Sequence, residues 1–206
     1  MIKIKVTEAA EVLNAQCIGR FDSDKFICGV SIDSRKVCQD NLFVPIKGMT
    51  SDGHSYVKDA VKSGAAAALW NKNEPDPPSD IPVILVDDTV KALQELSRFY
   101  RNKLNAKFVG ITGSNGKTST KDITASILSQ RFKTQKTIGN YNTEIGVPCT
   151  LLSLDEDCEV AVIEMGMEKA GEIDFLTHLV QPDIGIITSV GLVHIDNFPS
   201  IEEIAR

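Results

Sequence analysis

Apolar residues fall along this chain in two patterns, short unbroken runs and stripes at helical spacing. Residues 108–112, 160–163 and 184–188 are runs of β-branched and other apolar side chains with no alternation. Such runs predict strands covered on both faces, as in a parallel sheet. Residues 30–33, 42–46, 65–70 and 82–86 predict further short strands. Leu93, Leu96, Tyr100 and Leu104 recur at helical spacing and predict a packing helix from Thr89 to about Leu104. Ile123, Ile127 and Leu128 predict an apolar face on the helix that follows residue 116.

Polar residues mark the ends of these elements. Thr7 is placed to cap a short helix whose first turn carries Glu8 and Glu11. Residues 54–63 predict a helix stopped by Gly64. The three prolines within residues 71–80 predict a surface loop. Pro148 suits a helix start. Ser200-Ile201-Glu202-Glu203 has the form of a capping box opening the last helix. The pattern divides into a first unit, residues 1–86, and a second, residues 87–206, in which strands and helices alternate as in an open α/β sheet. Such a sheet should continue for several more strands, so the chain reads as a fragment.

Composition narrows the function. The 206 residues are 42% hydrophobic, enough to bury a core. A net charge of −6 lacks the basic footprint of a nucleic-acid binder. No stretch approaches the apolar length of a membrane span, and the N-terminus lacks the apolar core of a signal peptide. Cys17, Cys28, Cys38, Cys149 and Cys158 are odd in number with no C-x-x-C spacing, which predicts reduced thiols in a cytoplasmic protein.

The chemistry concentrates in Thr112-Gly113-Ser114-Asn115-Gly116-Lys117-Thr118-Ser119-Thr120. An apolar strand enters a glycine turn and leaves as a helix. Glycines let backbone N–H groups approach an anion closely, and the helix start adds free N–H groups and a positive dipole end. Lys117 can reach outer phosphates, and the Thr118 hydroxyl can ligate Mg²⁺. The commonest form of such a loop has another glycine where this chain has Ile111. In an open α/β sheet, ligands bind beyond the carboxyl ends of the strands. Glu164 and His194 follow two of the predicted strands and are candidate metal ligands; the polar stretch holding Asn140, Asn142 and Thr143 suits a phosphorylated or sugar substrate. Two polar clusters of the first unit, Ser31, Asp33, Ser34 and Arg35, and Lys47, Gly48, Asp52 and His54, suit a second phosphorylated ligand. A GTPase would need an Asn-Lys-x-Asp motif downstream of the loop. The nearest string, Asn71-Lys72-Asn73-Glu74, lies upstream.

The loop, extended to Lys121, closely resembles that of the Mur ligases, ATP-dependent amide ligases of peptidoglycan synthesis. Asp33-Ser34-Arg35 and Phe43-Val44-Pro45-Ile46-Lys47-Gly48 resemble the family's UDP-binding domain. Asn140-Tyr141-Asn142-Thr143-Glu144-Ile145-Gly146 resembles its substrate loop, and Glu164-Met165-Gly166 with His194 its metal positions. The resemblance implies a mixed α/β UDP-binding domain followed by an incomplete P-loop-type ATPase domain with a parallel sheet. It implies ATP and Mg²⁺, with Thr118, Glu164 and His194 holding metal and residues 113–119 holding the nucleotide. Lys121-Asp122, Gly171-Glu172-Ile173 and Phe198-Pro199-Ser200 favour the member that joins D-Ala-D-Ala to a UDP-N-acetylmuramoyl tripeptide through an acyl phosphate. The alternatives are the sister enzyme that adds the third amino acid, and a non-catalytic UDP-sugar-binding module. A monomer is expected. The family's third domain and half of its central one would lie beyond Arg206, so the chain alone is expected not to turn over.

Overall fold

The computed structural model describes residues 1–19, 24–193 and 195–205. The chain divides into two compact units, Met1–Tyr100 and Arg101–Arg206.

In the first unit, β1 (Lys3–Lys5) leads straight into α1 (Val6–Val12), and β1 pairs antiparallel with β3 (Phe26–Cys28). The N-cap of α1 is Lys5 with no side-chain cap, so Thr7 lies inside the helix and not at its cap as expected. Val6, Ala9 and Ala10 are buried on its inner face, and that burial sets where the helix begins. A five-stranded sheet follows, from β2 (Gln16–Ile18), β4 (Val30–Ser31), β5 (Leu42–Phe43), β6 (Ala67–Asn71) and β7 (Val83–Val86). Its order is β2-β7-β6-β5-β4, parallel except for the antiparallel β2–β7 edge. A 3-10 turn, Gly53–Tyr56, runs into α2 (Val57–Lys62), and Gly64 then turns the chain with φ +102°. Phe43, Val57, Ala60, Ala68, Trp70 and Val83 pack together between helix and sheet. The long helix α3 (Thr89–Lys103) buries the predicted stripe of Leu93, Leu96 and Tyr100.

The second unit is a four-stranded parallel sheet in the order β11-β8-β10-β9. Its strands are β8 (Lys107–Thr112), β9 (Thr134–Lys136), β10 (Val160–Glu164) and β11 (Ile184–Ile187). Its helices are α4 (Lys117–Leu128), α5 (Gly146–Ser153), α6 (Glu172–Val180) and α7 (Ile201–Ala205). The Ser200 hydroxyl accepts from the Glu203 N–H at 3.4 Å, as a capping box requires.

One expectation fails here. Ile123 and Ile127 stand outward, 61% and 66% exposed, while Lys121 and Ala125 are the buried residues of α4. Lys117, Lys121, Ala125 and Leu128 fall on one side of a 3.6-residue helix, with Ile123 and Ile127 opposite. Strand β10 is buried throughout, and Ile184 and Ile187 of β11 are 58% and 69% exposed within these residues. Among the described residues β11 pairs only with β8.

Candidate functional site

The ends of three parallel strands build the site. Register pairs Ile187 with Thr112 and Glu164 with Ile111, so β11, β8 and β10 finish side by side. The glycine turn leaves β8 between its two neighbours. Gly113 has φ +136° and Gly116, the N-cap of α4, has φ +82°. A Cβ at Gly113 would lie inside contact distance of Thr188 Oγ1, and 2.9 Å from the Ser189 nitrogen. Gly113→Ala is therefore expected to weaken nucleotide binding by at least tenfold, since both the turn's dihedral and its neighbour must give. Calorimetry with ADP against the parent protein checks this.

Helix α4 starts with no side-chain cap. No hydrogen-bond acceptor among the described residues meets the N–H groups of Gly116, Lys117 and Thr118. The first N–H groups of a helix lack intrahelical partners, and together with the dipole they attract anions. The Lys117 ammonium folds back and donates to Gly113 O at 2.7 Å, and the Thr118 side chain is exposed. Lys117 also lines two cavities. One, about 440 Å³, is shared with Asn142, Thr143, Gly166 and Glu172. The other, about 400 Å³, is shared with Gly113, Ser114, Asp174 and Val190.

Glu164 sits at the end of β10 with 2% exposure. Its backbone N–H donates to Thr137 Oγ1 at 3.0 Å, and its Oε1 accepts from Asn142 Nδ2 at 2.8 Å. Its Oε2 is buried without a hydrogen-bond partner among the described residues. Lys121 Nζ, also buried, lies 3.7 Å from that oxygen and 3.5 Å from Asp122 Oδ1. A hard cation prefers oxygen ligands, and the orphaned carboxylate oxygen of Glu164 and the exposed hydroxyl of Thr118 are both of that kind. Thr118 and Glu164 are thus the described residues suited to hold Mg²⁺. His194 lies outside the described residues.

The polar stretch before α5 is split by the structure. Asn142 and Thr143 line the larger cavity with Lys117; Asn140 is not among the residues that line it. Asn142 commits its amide N–H to Glu164, so it orients the carboxylate as well as facing the cavity. Lys121, read in the sequence only as part of the loop's motif, follows Lys117 by one helical turn and so shares its face.

In the first unit, the Ser31 hydroxyl donates to Asp33 O at 2.9 Å. Asp33 caps the 3-10 turn Ser34–Lys36, accepting from the Arg35 N–H at 3.1 Å. The Arg35 guanidinium then forks onto both Asp33 oxygens at 2.9 Å. This side-chain pair, with the backbone N–H second, holds the Asp33 carboxyl down to about 2 from the usual 3.8. A depressed carboxyl contributes its stabilisation above the unfolded value and loses it as pH falls through the folded one. The fork is expected to persist at neutral pH and to open between about pH 4 and pH 2, which carboxyl NMR titration of Asp33 reads directly.

Lys47 pairs with Glu74 at 2.6 Å and Asp52 at 3.6 Å. Asp52 accepts from the His54 N–H at 2.9 Å and from His54 Nδ1 at 2.6 Å. His54 Nε2 accepts from the Asn71 N–H at 3.4 Å, which assigns the ring proton to Nδ1. The ring is 7% exposed and meets Trp70 edge-on at 4.6 Å. Both ring nitrogens of His54 hold the loop to β6. Asp52, His54 and Glu74 offer the donor set of a metal site, and the Lys47 ammonium pairs with both of its carboxylates. Gly48 is turned by a bond from its N–H to Ser51 O at 2.9 Å.

Comparison with known proteins gives these parts a family. The Mur ligase middle domain matches residues 111–206, and the Mur ligase family, catalytic domain, matches residues 26–101. The UDP-N-acetylmuramoyl-tripeptide–D-alanyl-D-alanine ligase of Bacillus subtilis is 44% identical over all of this chain and 45% of its own length. The Escherichia coli ligase of the same name is 37% identical over all of this chain and 44% of its own. The crystal structure of MurF from Acinetobacter baumannii superposes with a TM-score of 0.88 at 30% identity, over 100% of this chain and 45% of that one. MurF ligase from Thermotoga maritima, solved in complex with ADP, superposes at 0.76 with 32% identity, over 86% of this chain and 41% of that one. The chain thus spans about 45% of the length of the curated relatives it matches. Two adjacent segments matching successive domains, on a fold that superposes throughout, mean that this chain belongs to the Mur ligase family, over its N-terminal domain and part of its middle domain.

Proposed function

We propose that this chain carries the UDP-substrate-binding and phosphoryl-handling parts of an ATP-dependent ligase. The enzyme would join D-Ala-D-Ala to UDP-N-acetylmuramoyl-tripeptide in the cytoplasm. The observation that carries the reading is the convergence on Lys117. Its ammonium sits on the glycine turn, and the same side chain lines a cavity with Asn142 and Thr143. A phosphate donor at the turn and a carboxylate acceptor in that cavity would meet at one lysine. The curated relatives carry this activity in their names, and the Thermotoga maritima relative was solved with ADP.

The reaction then follows from charge. An oxygen of the tripeptide's terminal carboxylate attacks the γ-phosphorus of ATP, and the bond to the β–γ bridging oxygen breaks, releasing ADP. The amine of D-Ala-D-Ala attacks the acyl phosphate, loses a proton, and displaces inorganic phosphate to leave an amide. Lys117 and the N–H groups of residues 116–118 would neutralise charge on the transferring group, which in phosphoryl transfer is most of what a protein supplies. A divalent cation held by Thr118 and Glu164 would add further charge neutralisation and alignment of the phosphates. Asn142 holds Glu164 in place. His194 keeps, on the resemblance alone, the role of a second metal ligand, and Ser31, Asp33, Ser34, Arg35, Lys47, Gly48, Asp52 and His54 that of UDP contacts. A monomer is sufficient for this chemistry.

The test is a ligation assay on the full-length protein with ATP, UDP-N-acetylmuramoyl-tripeptide and D-Ala-D-Ala. Release of one phosphate per amide formed supports the reading. Tight binding of the UDP substrate with no ATP binding would replace it with a non-catalytic module, and acceptance of a single amino acid on the dipeptide precursor would replace it with the sister ligase.

A further inference from the structure

The front of the glycine turn is tied to a segment more than 70 residues away. The Ser114 N–H donates to Ser189 O at 2.9 Å, and the Asn115 N–H to Ser189 Oγ at 3.0 Å. The Ser189 hydroxyl approaches Asn115 O at 3.3 Å, and the Thr188 hydroxyl donates to the same oxygen at 2.6 Å. The Ser114 hydroxyl accepts from the Gly191 N–H at 2.8 Å and reaches Gly191 O at 3.2 Å. Thr188 Oγ1 also occupies the volume that a side chain at residue 113 would need. Both polar groups of Asn115's backbone, and the side chain of Ser114, are therefore spoken for by residues 188–191.

Folding alone gives little reason for this network. The contacts of Thr188 and Ser189 to Asn115 lie at exposed positions, where water could serve the same groups. Exchanging water for such a partner contributes little net stability. It does fix shape. A turn held in one conformation before its ligand arrives loses less entropy on binding. The network also uses the N–H groups of residues 114 and 115, which leaves those of Gly116, Lys117 and Thr118 as the ones facing an incoming anion.

We propose that Thr188 and Ser189 are positioning residues for the nucleotide phosphates, acting through Ser114 and Asn115. The inference rests on the phosphate-loop reading above and deepens it. In the full-length protein, Ser189→Ala should raise the calorimetric Kd for ADP about tenfold, because the turn must then be ordered at the expense of binding. Thr188→Val should act in the same direction. The KM for ATP should rise in step while kcat moves far less. Ser189→Thr and Thr188→Ser, which keep the hydroxyls, should restore affinity. The thermal midpoint without nucleotide should stay within about 2 °C of the parent, since exposed bonds carry little stability. Parent affinity in both Ser189→Ala and Thr188→Val would overturn the inference. So would an affinity loss matched by a fall in the nucleotide-free midpoint and not rescued by the hydroxyl-bearing variants. Failure of the parent protein itself to bind ADP would instead sink the phosphate-loop reading.

Discussion

Lys117→Ala in the full-length protein is expected to lower the ligation rate by on the order of 100-fold or more at saturating substrates, the scale set by removing one preorganised charge contact from a transition state. The side chain has no structural substitute. Its ammonium lies 2.7 Å from Gly113 O, and among the described residues no other lysine or arginine lines either cavity at the strand ends. Lys121 is the nearest lysine in sequence on the same helical face, but it is buried against Glu164. The loss should fall mainly on kcat, because charge on the transferring phosphoryl group is redistributed in the transition state, with a smaller rise in the KM for ATP. Lys117→Arg should not restore the rate, since a planar guanidinium cannot fit a turn shaped for a point charge. Initial rates of phosphate release at varied ATP separate these terms. A Lys117→Ala protein working at the parent rate would remove the lysine, and with it the proposed mechanism, from the chemistry.

The elements that carry this site were readable because their signals are local. Lys107–Thr112 and Val160–Glu164 are strands whose side chains are apolar on both faces, and a glycine turn between strand and helix admits few other uses. Thr89–Lys103 shows its stripe in the order of its residues. What escaped depended on neighbours. Thr134–Lys136 is a polar three-residue strand that exists because β10 pairs with it, and nothing in Thr-Gln-Lys announces that. The outward turn of Ile123 and Ile127 has the same origin. An amphipathic count assumes that the most apolar face is the buried one, whereas the side of α4 facing the sheet is fixed by where Lys117 leaves the turn. One face then carries Lys117, Lys121, Ala125 and Leu128, and a lysine goes where an isoleucine was expected. The pairing of His54 with Asp52 and Asn71 is likewise a fact of assembly.

Burying that lysine has a measurable consequence. Lys121→Met keeps most of the side-chain volume and removes the charge. Glu164 would then keep its bond from Asn142 on Oε1, while Oε2, which has no hydrogen-bond partner among the described residues, would also lose the ammonium 3.7 Å away. Breaking a buried ion pair from one side leaves the other charge uncompensated, at a cost of about 3–5 kcal/mol. The separation of 3.7 Å and the second carboxylate of Asp122, 48% exposed, argue for the lower end, about 3 kcal/mol. In the full-length protein this is read as a fall in thermal midpoint by circular dichroism without nucleotide. A double-mutant cycle separates pairing from packing. If the charges are coupled, Lys121→Met combined with Glu164→Gln should be less destabilising than the sum of the two single changes by about 1–2 kcal/mol. Additive losses would mean that the two side chains are buried side by side without acting as a pair, and that Glu164 is held in place by Asn142 and the β10 backbone alone.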